Sequence, residues 1–284
     1  MFGNADTEQA RRGLLPGAAP LSGASENFAG GVSGGGDGAL AQVRDALRRS
    51  DLALAFQPVV LAESGRAPAF YEGLIRIVDE AGRIIPAREF MTAVETTETG
   101  RIIDSRALQM GLRALAEHPA LRLAVNMSAR SIGYPAWQKT LKDGLAGDPG
   151  IAERLILEIT ESSAMLMPEL VMVFMNDLQS RGITFALDDF GSGYTAFRYL
   201  RDFFFDIIKI DGQFIRGIHA NSDNQVLTRA LISIGRHFDM FTVAESVETA
   251  EDAEFLQTAG IDCMQGYFFG APSVSPPWTA RGAP

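Results

Sequence analysis

Apolar, β-branched segments recur along the chain and alternate with segments of helical periodicity. The strand-like segments cover residues 52–60, 69–77, 121–129, 154–162, 183–191, 205–214, 241–249 and 263–272. Helical spacing is clearest in residues 101–118, 168–182 and 223–238, where Pro168 suits a first helical turn and Gly182 a helix stop. This alternation is typical of an α/β protein with a parallel sheet covered by helices, and eight strands favour a closed (β/α)8 barrel. An open doubly wound sheet also fits the pattern, although no glycine-rich turn follows the first strand.

The composition supports a large core and argues against polyanionic partners. Hydrophobic residues make up 46% of the 284 residues, and 25 Lys and Arg against 35 Asp and Glu give a formal net charge of -10. Binding to DNA, RNA or an anionic membrane depends on clustered basic charge, so we expect none of these partners. Cys263 is the single cysteine, which excludes an internal disulfide and fits a cytoplasmic location. The sequence predicts no signal peptide and no membrane span.

The two ends of the chain differ in composition from its middle. Residues 1–38 are rich in Gly, Ala and Ser and are predicted to form a flexible leader. The alternating pattern fills residues 39–273, the predicted barrel, and the proline-rich residues 274–284 are predicted to form a loose tail. For the phenylalanine run at 203–205, core packing is favoured over a partner surface.

Polar residues interrupt the apolar strands near their ends, where the active sites of (β/α)8 barrels form. These residues are Glu72, Asn126, Glu158, the pair Asp188 and Asp189, Lys209, Glu245 and Gln265. A single buried acid is often a hydrogen-bonded structural residue. Five acids at one barrel mouth, however, would repel each other by several kcal/mol unless cations lay between them. Carboxylate and amide oxygens without histidine or cysteine select hard cations, so we expect Mg²⁺ or Mn²⁺, with Ca²⁺ as an alternative.

The acid pair stands at the end of a strand, in the segment LDDFGSGY at 187–194. Consecutive strand residues normally point to opposite faces, but this alternation can break where a strand turns into a loop. Both carboxylates can then face the site, one bridging two metal ions and the other binding the second ion. Gly191 and Gly193 would allow the loop to fold back closely. Two adjacent metal ions are a recurrent device for phosphodiester hydrolysis.

Eight short motifs occur in the chain, in the order FQPVV, EGLIR, VNMSARS, LEITES, LDDFGSGY, IKIDGQF, VAESVET and QGYFFGAP. Together they resemble the EAL-domain family of cyclic di-GMP phosphodiesterases, over roughly residues 39–272. The resemblance implies a TIM-like (β/α)8 barrel whose first strand is antiparallel to the rest. It also implies hydrolysis of cyclic di-GMP to linear pGpG with two bound metal ions, and a homodimer formed through the loop after Asp189.

The resemblance further implies roles for individual residues. The metal ligands would be Glu72, Asn126, Glu158 and Asp188 at one ion, and Asp188, Asp189 and Glu245 at the other. Lys209 matches the lysine that positions the attacking water, and the expected catalytic set is Lys209, Glu72, Asp188, Asp189 and Glu245. Arg76, which matches an arginine that grips a substrate phosphate, is expected to bind substrate together with Gln57, Gln265 and Asp211. Supporting contacts are expected from Glu161, Glu248 and Gln265, with Glu161 steadying the loop after Asp189.

The chain departs from the family pattern without losing a metal ligand or the lysine. Gly73 replaces the usual alanine of the EAL motif, Ser246 replaces the usual glycine of VAEGVE, and Gly212 stands where arginine is common. Changes also occur at Ala196 and Phe197, in the loop after the acid pair, and in the segment MTAVETTETG. These changes put regulation in question more than metal binding.

Two other functions stay open at this point. One is a non-catalytic cyclic di-GMP receptor that acts through a protein partner, since degenerate members of the family behave in this way. The other is a barrel enzyme for a different phosphorylated metabolite. The complete set of acids favours hydrolysis over both.

Overall fold

The structure, a computed structural model, describes residues 36–64, 67–192 and 200–279. The strands within these ranges are β1 Leu52–Leu61, β2 Pro68–Val78, β3 Ile84–Pro86, β4 Leu123–Asn126, β5 Leu155–Thr160, β6 Thr184–Phe190, β7 Ile207–Ile210, β8 Phe241–Ala244 and β9 Cys263–Gln265. Each of the eight predicted strand segments overlaps one of these strands, so the strand pattern of the sequence is confirmed.

Helices connect most of the strands. Their bounds are α1 Gly36–Arg49, α2 Met91–Val94, α3 Glu98–Glu117, α4 Pro135–Gly147, α5 Glu161–Ala164, α6 Pro168–Gln179, α7 Gly212–Ile215, α8 Ser222–His237 and α9 Ala250–Ala259. The three helices predicted from periodicity correspond to α3, α6 and α8. Pro168 occupies the first turn of α6, and Gly182, with φ +94°, lies shortly after its end, as predicted.

The sheet closes on itself as a barrel of eight strands. Strands β2 and β4 to β9 run parallel to one another around the barrel, whereas β1 pairs antiparallel with both β2 and β9. The short strand β3 lies beside β2 as an antiparallel extension. The predicted TIM-like barrel with an antiparallel first strand is therefore confirmed.

One apolar residue from each barrel strand packs inside the barrel. This apolar layer consists of Val59, Phe70, Ala124, Ile156, Ala186, Ile207, Val243 and Cys263, none of them more than 3% exposed. Burial raises the pKa of Cys263 to about 12, so its thiol is neutral and serves as a small core residue. Neighbouring strand residues such as Leu123 and Val125 belong to a second, larger cluster, which also contains helix residues.

Both ends of the described chain pack against the barrel. Helix α1 begins two residues before the expected end of the leader and buries Val43 and Ala46. In the predicted tail, the Trp278 ring lies 5.2 Å from the Phe56 ring and 4.4 Å from the Tyr71 ring, measured between centroids. The Trp278 ring therefore packs against side chains of both β1 and β2.

The phenylalanine run before β7 is mostly packed, as predicted. Phe203 and Phe205 are buried, whereas Phe204 is 68% exposed. No helix among the described residues combines the length and the apolar character that a bilayer span requires.

Candidate active site

Eight polar side chains form a layer next to the apolar one, toward the carboxyl ends of the parallel strands. In seven strands the polar residue follows the apolar-layer residue by two positions, so strand alternation puts both on the inward face. Strand β1 runs in the opposite direction, and there Gln57 precedes Val59 by two positions. We call this set the polar ring: Gln57, Glu72, Asn126, Glu158, Asp188, Lys209, Glu245 and Gln265. All eight were predicted as site residues.

Lys209 lies at the centre of the polar ring and is 1% exposed. Its Nζ is 2.7 Å from Glu245 Oε1, 3.0 Å from Asp188 Oδ1, 3.1 Å from Glu158 Oε2 and 3.3 Å from Glu72 Oε2. Burial alone would lower the pKa of Lys209, but the four carboxylates outweigh burial and hold that pKa well above its ordinary value. The side chain is therefore an ammonium group that forms ion pairs with four carboxylates.

Amide side chains orient Glu72 within the ring. Asn126 Nδ2 donates to Glu72 Oε1 at 2.8 Å, and Gln265 Nε2 donates to Glu72 Oε2 at 2.5 Å. Gln265 Nε2 also donates to Gln57 Oε1 at 3.1 Å. Burial raises the pKa of Glu72, but Lys209 and the amide donors outweigh burial and bring this pKa below its ordinary value. Glu72 is thus held as a fixed carboxylate.

The acid pair breaks the strand alternation, as predicted. Asp189 has φ +55°, and the pairing of β6 with β7 shifts between Leu187 and Phe190. As a result, carboxylate oxygens of Asp188, Asp189 and Glu245 all lie within 4.8 Å of one another. These three acids are close enough together to hold a metal ion.

Glu161 contacts the loop that follows the acid pair. The Gly191 backbone N donates to Glu161 Oε2 at 3.0 Å, and Glu161 is 4% exposed. The structure thus brings Glu161 to the position that sequence analysis predicted for it. Gly193, Ala196 and Phe197, which belong to the same loop, lie outside the described residues.

The site has an excess of negative charge. Burial, followed by repulsion from neighbouring carboxylates, raises the pKa of Glu158 and of Glu245 well above the ordinary value in spite of Lys209. Burial and the adjacent Asp188 raise the pKa of Asp189 to about 6. All three shifts have the same direction because burial disfavours each charged carboxylate, and repulsion from the neighbouring carboxylates adds to this effect.

The donor atoms fit hard divalent cations. Within the described part of the chain, the buried Oε1 atoms of Glu158 and Gln265 have no hydrogen-bond partner. Buried polar atoms are nearly always paired, so these two oxygens are available to a ligand. Oxygen atoms from carboxylates and amides, with no histidine or cysteine in the polar ring, are the donor set that Mg²⁺ and Mn²⁺ prefer.

Arg76 supplies a buried cation beside the ring. Its Nη1 donates to Ile75 O at 3.0 Å, whereas its buried Nε has no partner among the described residues. Burial lowers the pKa of Arg76, and the Glu72 carboxylate opposes that shift. A guanidinium group with an unused donor can bind a phosphate oxygen.

Two predicted site residues lie at the rim instead of in the ring. Asp211 Oδ1 accepts a hydrogen bond from Gln213 N at 2.7 Å and so caps α7. The predicted strand 205–214 is therefore too long, since a helix starts at Gly212. Glu248 Oε1 lies 3.7 Å from Arg216 Nε, and both side chains are about half exposed.

Sequence reasoning missed two polar contacts at this rim. Gln213 Nε2 donates to Gly191 O at 3.0 Å, and Arg216 Nη2 donates to Ser246 Oγ at 3.0 Å. Both donors follow β7 closely and reach the loop after a neighbouring strand. Their place just after a strand end is a weak signal, because loops after neighbouring strands meet at the barrel mouth.

Comparison with known proteins agrees with this geometry. A family model described as EAL domain matches residues 40–272. The chain belongs to the EAL domain family. The bifunctional diguanylate cyclase/cyclic di-GMP phosphodiesterase MucR of Pseudomonas aeruginosa is 32% identical over 238 residues, which are 82% of this chain and 35% of MucR. The cyclic di-GMP phosphodiesterase PdeF of Escherichia coli is 32% identical over 235 residues, which are 81% of this chain and 31% of PdeF. This EAL domain chain thus spans about a third of the length of these curated relatives.

A solved EAL structure has the same fold. The PaMucR phosphodiesterase in complex with c-di-GMP superposes with a TM-score of 0.72 at 32% identity, covering 83% of this chain and 97% of that one.

In the present EAL domain, the glycine of the EGL motif suits its surroundings. A Cβ at Gly73 would lie 3.0 Å from Leu54 Cδ2 and 3.3 Å from Ala124 O, while Glu72 keeps its place in the ring.

Proposed function

We propose that this EAL domain hydrolyses cyclic di-GMP to linear pGpG with two divalent metal ions, Mg²⁺ or Mn²⁺, bound at the polar ring. The observation that carries the proposal is the complete set of five crowded carboxylates around one buried ammonium group. Phosphodiesterase relatives and the c-di-GMP complex of PaMucR support the choice of substrate.

The chain offers ligands for both ions. Glu72, Asn126, Glu158 and Asp188 would hold one ion, and Asp188, Asp189 and Glu245 would hold the other. When bound, such ions lower the pKa of water and stabilise charge on the phosphate and the leaving oxygen. The protein prepares the site for them by fixing Glu72 through two amide donors and by turning both acids of the pair inward.

Lys209 and Arg76 would act on the reactants. The Lys209 ammonium group sits among the carboxylates at 2.7–3.3 Å, so it can donate a hydrogen bond to the attacking water and orient it. Arg76 has an unused Nε donor beside Glu72 and would hold a phosphate oxygen of the substrate. Gln57, Gln265 and Asp211 remain candidates for contacts with the nucleotide.

An activity assay tests the proposal directly. The full chain is incubated with cyclic di-GMP and either Mg²⁺ or Mn²⁺, and the products are separated by chromatography. We expect pGpG with either metal and none after EDTA treatment. Glu72→Ala should abolish turnover with the barrel still folded, while Glu117→Ala, on the exposed face of α3, should not change it. Intact nucleotide after long incubation would reject the proposal.

The same assay separates the alternatives. Tight calorimetric binding of cyclic di-GMP without turnover would favour the receptor function. Turnover of another substrate in a panel of cyclic dinucleotides and phosphorylated metabolites would favour a different barrel enzyme. The full set of proposed metal ligands favours hydrolysis over the other two functions, since a receptor has no need for two metal sites.

We also propose that the chain forms a homodimer. An apolar face formed by Leu166, Leu170 and Val173 is exposed on α6 and the turn before it. This face follows α5, the helix that carries Glu161 and contacts the loop after the acid pair. The dimer contact would therefore lie beside the loop to which sequence analysis assigned it.

A further inference from the structure

The turn after the acid pair has an unusual backbone. Asp189 has φ +55° and Gly191 has φ +93°, and Ser192 N donates to Asp189 O at 3.0 Å to close the turn. The left-handed region is unfavourable for residues other than glycine, so surrounding contacts must keep this conformation in place. Because the turn sends Asp188 and Asp189 to the same side, the groups that hold it also set the positions of both carboxylates.

Gly191 is held from both sides of the turn. Its N donates to Glu161 Oε2 at 3.0 Å, and its O accepts from Gln213 Nε2 at 3.0 Å. The Phe214 ring covers its Cα, since an added Cβ would lie 2.5 Å from Phe214 Cε2. Glu161 follows β5 and Gln213 follows β7, so the segments after the two strands that flank β6 hold Gly191 between them through the peptide groups on either side of its Cα.

The backbone of Gln213 is itself fixed. Its N donates to Asp211 Oδ1 at 2.7 Å, and its O accepts from Asn224 Nδ2 at 3.0 Å. The side chain therefore extends from an anchored point to reach Gly191 O. Neither backbone contact needs a glutamine side chain, so a substitution can remove the bond to Gly191 and leave α7 in place.

We propose that Gln213 is a positioning residue of the acidic site: it acts through Gly191 to hold the turn that presents Asp188 and Asp189 together. This inference rests on the proposed metal site. Among the described residues, the Gln213 side chain donates to Gly191 O and has no hydrogen bond to Asp188 or Asp189, and it lies at the surface. Its effect is on the geometry of the acid pair, and hence on metal affinity.

The decisive variant is Gln213→Met, which keeps the length of the side chain and removes the donor. The dissociation constant for Mn²⁺, measured by electron paramagnetic resonance on the full chain without nucleotide, should rise by about tenfold, as for other groups that orient metal ligands. The melting temperature in EDTA should stay within about 3 °C of the wild type, because one exposed hydrogen bond contributes little to stability.

Gln257→Met is the matched control. Gln257 is also exposed and also donates one side-chain bond to a backbone oxygen, from Nε2 to Ala62 O at 2.9 Å, but this bond lies at the end of β1. It should leave Mn²⁺ affinity unchanged. As a second measurement, amide hydrogen exchange at Gly191 in the metal-free chain should become faster in Gln213→Met and stay unchanged in Gln257→Met.

Three results overturn the inference. The first is wild-type Mn²⁺ affinity in Gln213→Met, the second is unchanged exchange at Gly191 in that variant, and the third is a wild-type chain that binds no Mn²⁺. Neither measurement uses cyclic di-GMP, so the inference about Gln213 is tested independently of hydrolysis. A chain that binds Mn²⁺ but does not hydrolyse the nucleotide would reject the proposed function without deciding the role of Gln213.

Discussion

At the scale of a single residue, the proposed function gives Lys209 two separable tasks. In the metal-free protein its ammonium group lies among four carboxylates, of which Glu72, Glu158 and Asp188 are buried and Glu245 is partly exposed. Removing one partner from a buried ion pair leaves the other charge unpaired, which typically costs about 3–5 kcal/mol. Metal ions would supply positive charge at the same carboxylates, so the stabilising task and the catalytic task of Lys209 can be measured apart.

Lys209→Met is expected to lower the free energy of unfolding in EDTA by about 3–5 kcal/mol. Added Mn²⁺ should restore most of that stability, while turnover stays reduced by about 10²–10⁴-fold because the donor that orients the water is missing. Urea unfolding with and without Mn²⁺ measures the first effect, and the activity assay measures the second. Lys139→Met, at an exposed lysine, serves as the control. Recovery of full activity with Mn²⁺ would contradict the assigned role.

The raised carboxyl pKa values predict how pH affects the metal-free protein. Since burial and neighbouring carboxylates raise the pKa of Glu158 and bring that of Asp189 to about 6, the folded state binds protons more tightly than the unfolded chain. Stability from these groups is present at low pH and is lost as the pH rises through their folded-state values, for Asp189 mainly from pH 4 to pH 6. In EDTA, the chain should therefore be more stable at pH 5.5 than at pH 8.

Glu158→Gln tests this origin of the pH dependence. The neutral amide should raise metal-free stability at pH 8 and reduce the difference between pH 5.5 and pH 8, because one repelled charge is gone. It should also abolish metal-dependent turnover, because Glu158 is one of the proposed metal ligands. A gain in stability with a loss of activity is expected where an active site is destabilised for its function. Thermal unfolding in EDTA at both pH values is the measurement. An unaltered pH dependence in Glu158→Gln would show that this carboxylate is not its source.

At the scale of structural elements, two departures from the family pattern are explained together. Gly212 begins α7, and Ser246 follows β8 with φ +56°. A Cβ at position 212 would lie 2.5 Å from Ser246 Oγ and 2.7 Å from Ser246 Cβ. The serine therefore occupies space that a side chain at 212 would need, and Arg216 Nη2 bonds its hydroxyl. The two residues couple the loops after β7 and β8, next to Glu245.

Gly212→Ala should destabilise the protein by about 1–3 kcal/mol through overpacking against Ser246. In the Ser246→Gly background the same change should cost little, because the clashing atoms are absent. Urea unfolding of the four proteins of the double-mutant cycle should give a coupling of at least about 1 kcal/mol. Gly147→Ala, where a new Cβ meets nothing within 4 Å, should be additive with Ser246→Gly. Additive effects of Gly212→Ala and Ser246→Gly would mean that the loops are independent.

The strand elements were predictable because their pattern is local. Alternation with period two assigns each polar-ring residue to the inward face of its own strand, and the residues fall at one end of the barrel once the strands are parallel. The contacts of Gln213 and Arg216 are different, since they join loops whose separation depends on the closed barrel. Similarly, the strand predicted at 205–214 ran too far because the cap made by Asp211 depends on a short helix that has no periodicity of its own.

At the scale of the whole molecule, the apolar face on α6 is a surface that the barrel itself does not cover. Leu166, Leu170 and Val173 are 53%, 42% and 69% exposed; Leu170 and Val173 are three residues apart on one side of α6, and Leu166 lies in the turn before the helix. Exposed apolar surfaces of this kind commonly mark contacts with another protein. A second copy of the chain is the partner proposed for it, and one charged substitution in the face should be enough to prevent the contact.

Val173→Glu is expected to convert a dimer into a monomer, because a charge within an apolar contact would be buried without a partner. Light scattering after size exclusion should give twice the 30.6 kDa chain mass for the wild type and a single chain mass for the variant. Val226→Glu is the matched control, since Val226 is also 69% exposed but lies on α8, and its mass should equal that of the wild type. A wild-type chain that is monomeric at micromolar concentration, or a Val173→Glu variant that remains dimeric, would rule out this face as the dimer contact.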